Sequence, residues 1–201
     1  MITDYNNLPL NKYYKIQDIL NEEWDIDQQI KILSIITDLP ENELLNMKLS
    51  RYEQQLSALD FLQKPLVPKK NIPRKLFING KRYVILKNVD KMTAGQYIDV
   101  QTYYKNKLGY EYILSALIVP EGKTYGEGYD VADVINDILE MDIQTAVDVC
   151  FFFRKKLLNS IRTTLICLDL LTRKKMPQEK KQELKELRKK IQQKLLTLNG
   201  I

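Results

Sequence analysis

No histidine occurs among the 201 residues. That removes the commonest general base, the usual serine and cysteine hydrolase arrangements, and most zinc and non-haem iron sites. Cysteine is scarce, with only Cys150 and Cys167. Both fall in one expected helix, about 25 Å apart at roughly 1.5 Å per residue, so they cannot pair with each other and read as reduced core residues. Two distant thiols offer no metal cluster. No run of about 18 apolar residues is present, which excludes a transmembrane helix, and the opening MITDYNNLPL lacks the basic-then-apolar pattern of a signal peptide. The expected place is therefore the cytoplasm where the chain is made, with no membrane contact.

Other reactive signatures are also missing. No serine sits in a nucleophile-elbow sequence. Gly122-Lys123-Thr124 resembles the tail of a phosphate-binding loop, but that motif needs a glycine five residues earlier and position 117 is Leu117. The segment 121–129, with three of the seven glycines, reads instead as a surface loop. The carboxylate pairs Asp130 with Asp133 and Asp137 with Glu140 read as helix-start charges and exposed faces. The expectation is a protein that is not an enzyme, with no catalytic residues, no cofactor and no metal.

What the chain does have is charge, helical periodicity and tyrosine. Net charge is +5. From Arg154 to Lys194 there are 14 Lys/Arg against 4 acidic residues, a balance of +10, so the remainder holds 17 against 22, or −5. A chain with two electrical ends suits head-to-tail stacking, an acidic partner, or proximity to DNA, with a solvated basic helix face as the other reading. Arg154, Lys155, Lys156, Arg173, Lys174, Lys175, Lys189 and Lys190 are the candidates to face an acidic partner or DNA.

The expected fold is mainly α with a small β-hairpin, an α+β arrangement in three parts. Residues 1–64 form a helical N-terminal region. In it Asp25 caps a helix stopped at Asp38-Leu39-Pro40, and Ser50 with Glu53 makes a capping box. Residues 65–73 hold three prolines and read as a stiff connector, the best boundary in the chain. Residues 74–153 hold a hairpin and helices. Asn79-Gly80 is a strong type I′ turn signal, which puts Leu76, Ile78, Tyr83 and Ile85 on one face and Phe77, Val84 and Leu86 on the other. Both faces need cover from helices or from a neighbouring subunit. Thr93 and Gln96 form a second capping box, with Ile98, Val100 and Tyr103 inside.

Residues 154–201 form a basic helical arm. A helix from Ile143 to about Lys175 is apolar nearly all round in its first half and then alternates leucines with basic residues. After Pro177, Leu184, Leu187, Ile191, Leu195 and Leu198 recur at spacings of 3, 4, 4 and 3, the seam of an antiparallel helical hairpin. That narrow stripe has to bury against the preceding helix, another copy or a partner. Tyr103, Tyr104, Tyr110, Tyr112, Tyr125 and Tyr129 crowd within 27 residues around the glycine loop. Tyrosine gives large amphipathic contact area at low entropic cost, so these residues and Leu184, Leu187, Ile191 and Leu195 are the candidate partner interface, with a core-edge belt as the other reading of the tyrosines.

The words INGKRYVILKNVDKMTAGQYIDVQTYY, IVPEGKTYGEGYDVADVINDI and DVCFFF resemble small morphogenesis proteins of bacteriophages of gut Bacteroidales, the crAss-like group among them. The hairpin followed by the MTAGQYID helix start is similar in outline to tail assembly chaperones of other phages. The resemblance spans roughly residues 25 to 155. It implies a virion structural or assembly protein of the portal, neck or tail, made in the host cytoplasm and partnered by other virion or tail proteins, and the two-ended charge with the exposed-looking ribbon adds the expectation of a homo-oligomer. A tail assembly chaperone absent from the mature virion, or a nucleic-acid-binding accessory protein, are the alternatives.

Overall fold

The computed structural model describes residues 2–20, 25–69, 72–173 and 177–199. Nine α-helices and three β-strands are described: α1 Leu10–Leu20, α2 Ile26–Thr37, α3 Glu41–Leu45, α4 Leu49–Ser57, β1 Lys75–Ile78, β2 Lys81–Ile85, α5 Ala94–Lys105, α6 Tyr110–Leu117, β3 Ile118–Pro120, α7 Val131–Leu139, α8 Ile143–Arg173 and α9 Gln178–Asn199. The chain is mainly helical, with a small antiparallel sheet and a C-terminal helical hairpin.

Local chemistry accounts for most element boundaries. Asp25 caps α2 by accepting from the Gln28 amide at 2.8 Å, and Asp38 closes it in the left-handed region at φ 58° before Pro40. Each such cap contributes about 1 kcal/mol by satisfying an amide that has no partner within the helix. Thr93 and Gln96 make the full reciprocal capping box of α5. Ser50, by contrast, caps nothing. The turn at Asn46 and Met47 brings the chain into α4 two residues earlier, with Lys48 in the capping position and no side-chain bond there. Ile98 is exposed rather than inside, because α5 turns Gln96, Val100 and Tyr104 inward and position 98 falls on the opposite side.

The hairpin forms in the expected register, Leu76 opposite Tyr83 and Ile78 opposite Lys81, across Asn79 and Gly80 at φ 49° and 74°. Leu76, Ile78, Tyr83 and Ile85 are buried on one face. Of the other face, Phe77 and Val84 are exposed among the described residues, while Leu86 is half-buried against the core. Phe77 is exposed there between Lys75 and Arg82, which both reach Glu121. A third strand joins the expected two: β3 pairs antiparallel with β2, Val84 opposite Val119 and Ile85 opposite Ile118. Its β-branched Ile118 and Val119 just before Pro120 are the signal for an edge strand that the apolar run through α6 conceals.

A single buried cluster includes Leu8, Leu33, Ile72, Tyr83, Leu114 and Phe153, and so draws on both sides of the proline-rich connector. The connector itself is strapped to α8. Asp148 accepts from the Lys69 amide at 2.5 Å, and Gln144 donates to the Val67 carbonyl at 3.0 Å and to Asp148 at 2.9 Å. The segment before α1 is tied to the turn between α7 and α8, where the Leu10 amide donates to the Met141 carbonyl and the Ile143 amide to the Leu8 carbonyl. These ties fix the root of α8, the helix that then leaves the body.

Candidate interaction surfaces

In α8 the first half is core. Ile143, Ala146, Val147, Val149, Cys150, Phe153 and Leu157 are buried. Beyond Leu157 the helix no longer joins the main cluster except through Leu158 and Ile161 at its margin, and α9 packs chiefly on α8. The arm keeps a narrow seam of its own where α9 packs on α8: Leu168 is buried and Leu165 half-buried on α8, and Leu184, Ile191 and Leu195 are half-buried on α9. Arg188 and Asp169, 3.0 Å apart, mark the antiparallel register.

Outside that seam the arm exposes apolar surface. Ile166 is 62% exposed, Leu170 55% and Leu187 46%. By the Arg188–Asp169 register Leu170 and Leu187 lie level with each other. Ile166 and Leu170 border a shallow groove that also involves Leu165, Asp169 and Arg188. The flanks are cationic, since Lys155, Lys156, Arg162, Lys185, Lys189 and Lys190 are all exposed. Lys156 also lies over the Phe152 ring, 5.6 Å from its centre, and Arg154 is half-buried at the root of the arm. Of the basic candidates, Lys174 and Lys175 lie outside the described residues, as do the side chains of Arg173 and Leu198.

The tyrosines form a belt in which most hydroxyls or rings have partners inside the chain. Tyr104 is buried against α8 and its hydroxyl is pushed well up by burial. Tyr103 and Tyr112 pair at 5.9 Å between ring centres, and Tyr112 is the most exposed of the six. Tyr125 donates to Asp99, which holds the glycine loop against α5, and burial with that bond raises its hydroxyl. Tyr14 donates to Glu111 and accepts from the Tyr110 amide, joining α1 to α6. Tyr129 accepts from the Gly126 amide. Gly122, Gly126 and Gly128 all take positive φ, so the loop is a set of glycine-dependent turns hanging from an antiparallel strand.

At the root of the arm a cavity of about 590 Å³ opens between the α5–α6 turn and α8, walled by Tyr14, Tyr104, Tyr110 and Phe151 with Lys107 and Arg154 at hand. Cys150 lies on its wall and is buried. Burial and the nearby negative Glu111 push its thiol up. Cys167, expected in the core, is exposed on the arm, because the seam takes Leu165 and Leu168 and turns position 167 outward.

The one carboxylate that departs most from its expected role is Asp137. It is buried, not an exposed helix charge. It accepts from Lys81 Nζ at 2.7 Å, from Asn79 Nδ2 at 3.1 Å and from the Tyr83 hydroxyl, so it clamps the hairpin turn to α7. Burial alone would raise its carboxyl; the bonds from Lys81, Tyr83 and Asn79 outweigh this and hold it below the usual carboxylate range. The same setting pushes the Tyr83 hydroxyl up, first by burial and then by its bond to Asp137. A sequence signal existed: position 137 lies three residues after Val134 and beside Ile138, on the buried stripe of α7. Lys81 is largely exposed, so the cluster has a solvent side, but its three donors all go to anchoring one carboxylate.

Among the described residues no group of three or more histidine, cysteine, aspartate or glutamate side chains could hold a metal ion, and no helix is long and apolar enough to cross a membrane. Compared with known proteins, the chain matches no family model, no curated protein and no solved structure.

Proposed function

We propose that the protein is a non-enzymatic assembly protein of a bacteriophage virion, acting in the portal, neck or tail region through docking surfaces. The observation that carries the docking role is the arm: a two-helix projection beyond Leu157 that displays Ile166, Leu170 and Leu187 amid exposed lysines and arginines. A helix pair with so narrow a seam is weakly held by itself, and exposed apolar residues inside a charged surface are the usual composition of a surface that meets another protein. The phage setting is supported by the sequence resemblance over residues 25 to 155.

Mass spectrometry of purified virions tests this reading. The protein is expected in the particle in several copies. Its absence from virions, together with recovery on a tail protein from infected cells, would replace this reading with that of a tail assembly chaperone. The basic arm also makes DNA retention worth measuring. Binding through about six phosphates would weaken steeply with rising salt, and failure to bind at about 50 mM salt removes a nucleic-acid role.

A further inference from the structure

Exposed apolar side chains and net charge coincide at two places in this chain, and the two places have opposite sign. Residues 1–64 hold 6 basic against 11 acidic residues, residues 65–153 hold 11 against 11, and the arm carries the +10 already described. Among the described residues of the acidic region, the large apolar residues left exposed are Ile26, Leu45 and Leu49, on α2, α3 and α4, with Leu45 67% and Leu49 70% exposed. These three helices pack together, and Asp25, Asp27, Glu41 and Glu43 are exposed on them against Lys31, Lys48 and Arg51.

We infer that the basic arm of one copy docks on the α2–α4 surface of a second copy. The inference rests on the reading of the protein as a docking component and names its partner. Arm against arm would bring two segments of +10 together, whereas two copies of the weakly acidic α2–α4 surface gain no charge pairing by meeting each other. Arm against acidic surface pairs Ile166 and Leu170 with Leu45 and Leu49 while lysines meet glutamates. The chain carries both halves of this contact, so a second copy satisfies it without any other protein. Because the two halves differ, the contact is heterologous: each copy gives an arm and receives one, and the assembly closes into a ring or continues as a filament according to the rotation per step.

A charge-swap experiment on the full chain tests it, with oligomeric state read by light scattering after size exclusion and folding checked by circular dichroism. The native protein is expected to be oligomeric in about 0.05 M salt and to dissociate in about 0.5 M salt, because exposed charge pairs are screened. Lys189→Glu with Lys190→Glu on the arm is expected to weaken assembly at least tenfold, and so is Glu41→Lys with Glu43→Lys on the acidic surface. Mixed in equal amounts, the two variants are expected to assemble again, since each reversed surface then meets its complement. A monomeric native protein at low salt overturns the inference, as does an oligomer indifferent to both reversals or a mixture of folded variants that stays monomeric. An arm reversal that abolishes DNA retention but leaves the oligomer intact also overturns it, assigning the arm to nucleic acid. A protein monomeric in solution yet present in virions sinks this contact and leaves the proposed function standing, whereas one that assembles by charge swap but is absent from virions does the reverse.

Discussion

The body and the arm are built from the same kind of helix but solve burial differently. In the body, helices, a three-stranded sheet and a strapped connector enclose one cluster, and several polar side chains inside it are held by bonds: Asp137 by three donors, Asp148 by Lys69 and Gln144, Gln96 by the Ala116 carbonyl. In the arm, two helices share a single seam and leave Ile166, Leu170 and Leu187 in solvent. A helix pair has only one face to hide. A body of several layers hides two or three, so apolar residues that would be core there become surface here. The arm has little else to do with its apolar residues, whereas the body buries most of its own and leaves only scattered ones such as Leu45, Leu49 and Phe77 in solvent.

The chain carries one thiol in each region, which gives the largest and most direct test of that contrast. Cys167 on the arm is exposed, and Cys150 in the body is buried with its thiol pushed up, so it offers little of the reactive thiolate. Under native conditions an aromatic disulfide reagent is expected to consume one thiol per chain quickly and the second at least about a hundredfold more slowly, rising to the fast rate in denaturant. Equal rates would mean that the body opens as readily as the arm, and the comparison would fail.

The next largest effect belongs to the Asp137 clamp. Asp137→Asn removes the charge that Lys81 and Tyr83 donate to and is expected to cost about 2 kcal/mol, the scale of a hydrogen bond to a charged group. Its pH dependence has a definite sign. The folded carboxyl lies below its usual range, so its stabilising contribution is complete above about pH 4, where the unfolded carboxyl is also ionised, and is lost as pH falls through the depressed folded value. Urea midpoints measured from pH 6 downward should therefore fall more steeply for the native protein than for Asp137→Asn. Parallel curves would show that another carboxylate carries the acid sensitivity of the body.

What could be read in advance followed short-range rules. The type I′ turn at Asn79-Gly80, the caps at Asp25 and Thr93, the stop at Pro40 and the helix α9 after Pro177 each depend on residues within a turn or two of one another, although Leu187, expected in the α9 seam, is 46% exposed outside it. What could not be read depended on distant partners. β3 exists because β2 offers an edge to it, Asp137 is buried because a hairpin 54 residues away supplies its donors, and the proline-rich segment is pinned to α8 by Gln144 and Asp148. Ser50 had the right letters for a cap, but a turn just before it set the helix start. The candidate surface was legible in part. The basic run and the α9 leucines marked the arm, but which of its apolar residues stay in solvent depended on how α8 and α9 face each other, a register that the Arg188–Asp169 pair marks.

That register supplies the smallest expected effect and the sharpest limit on the comparison. Arg188 is 45% and Asp169 29% exposed at the side chain, so water screens the pair and each partner keeps much of its hydration when the other is removed. Arg188→Ala is expected to leave global stability within about 0.5 kcal/mol of the native value. Amide hydrogen exchange should then show faster exchange confined to α9 and to α8 beyond Leu157, with the body unchanged, because α9 packs chiefly on α8 and the main cluster ends at that leucine. Faster exchange in α6 or α7 would mean that the arm braces the body. The exposed leucines of the arm would then be part of the fold's own support, and no longer surface free for a partner.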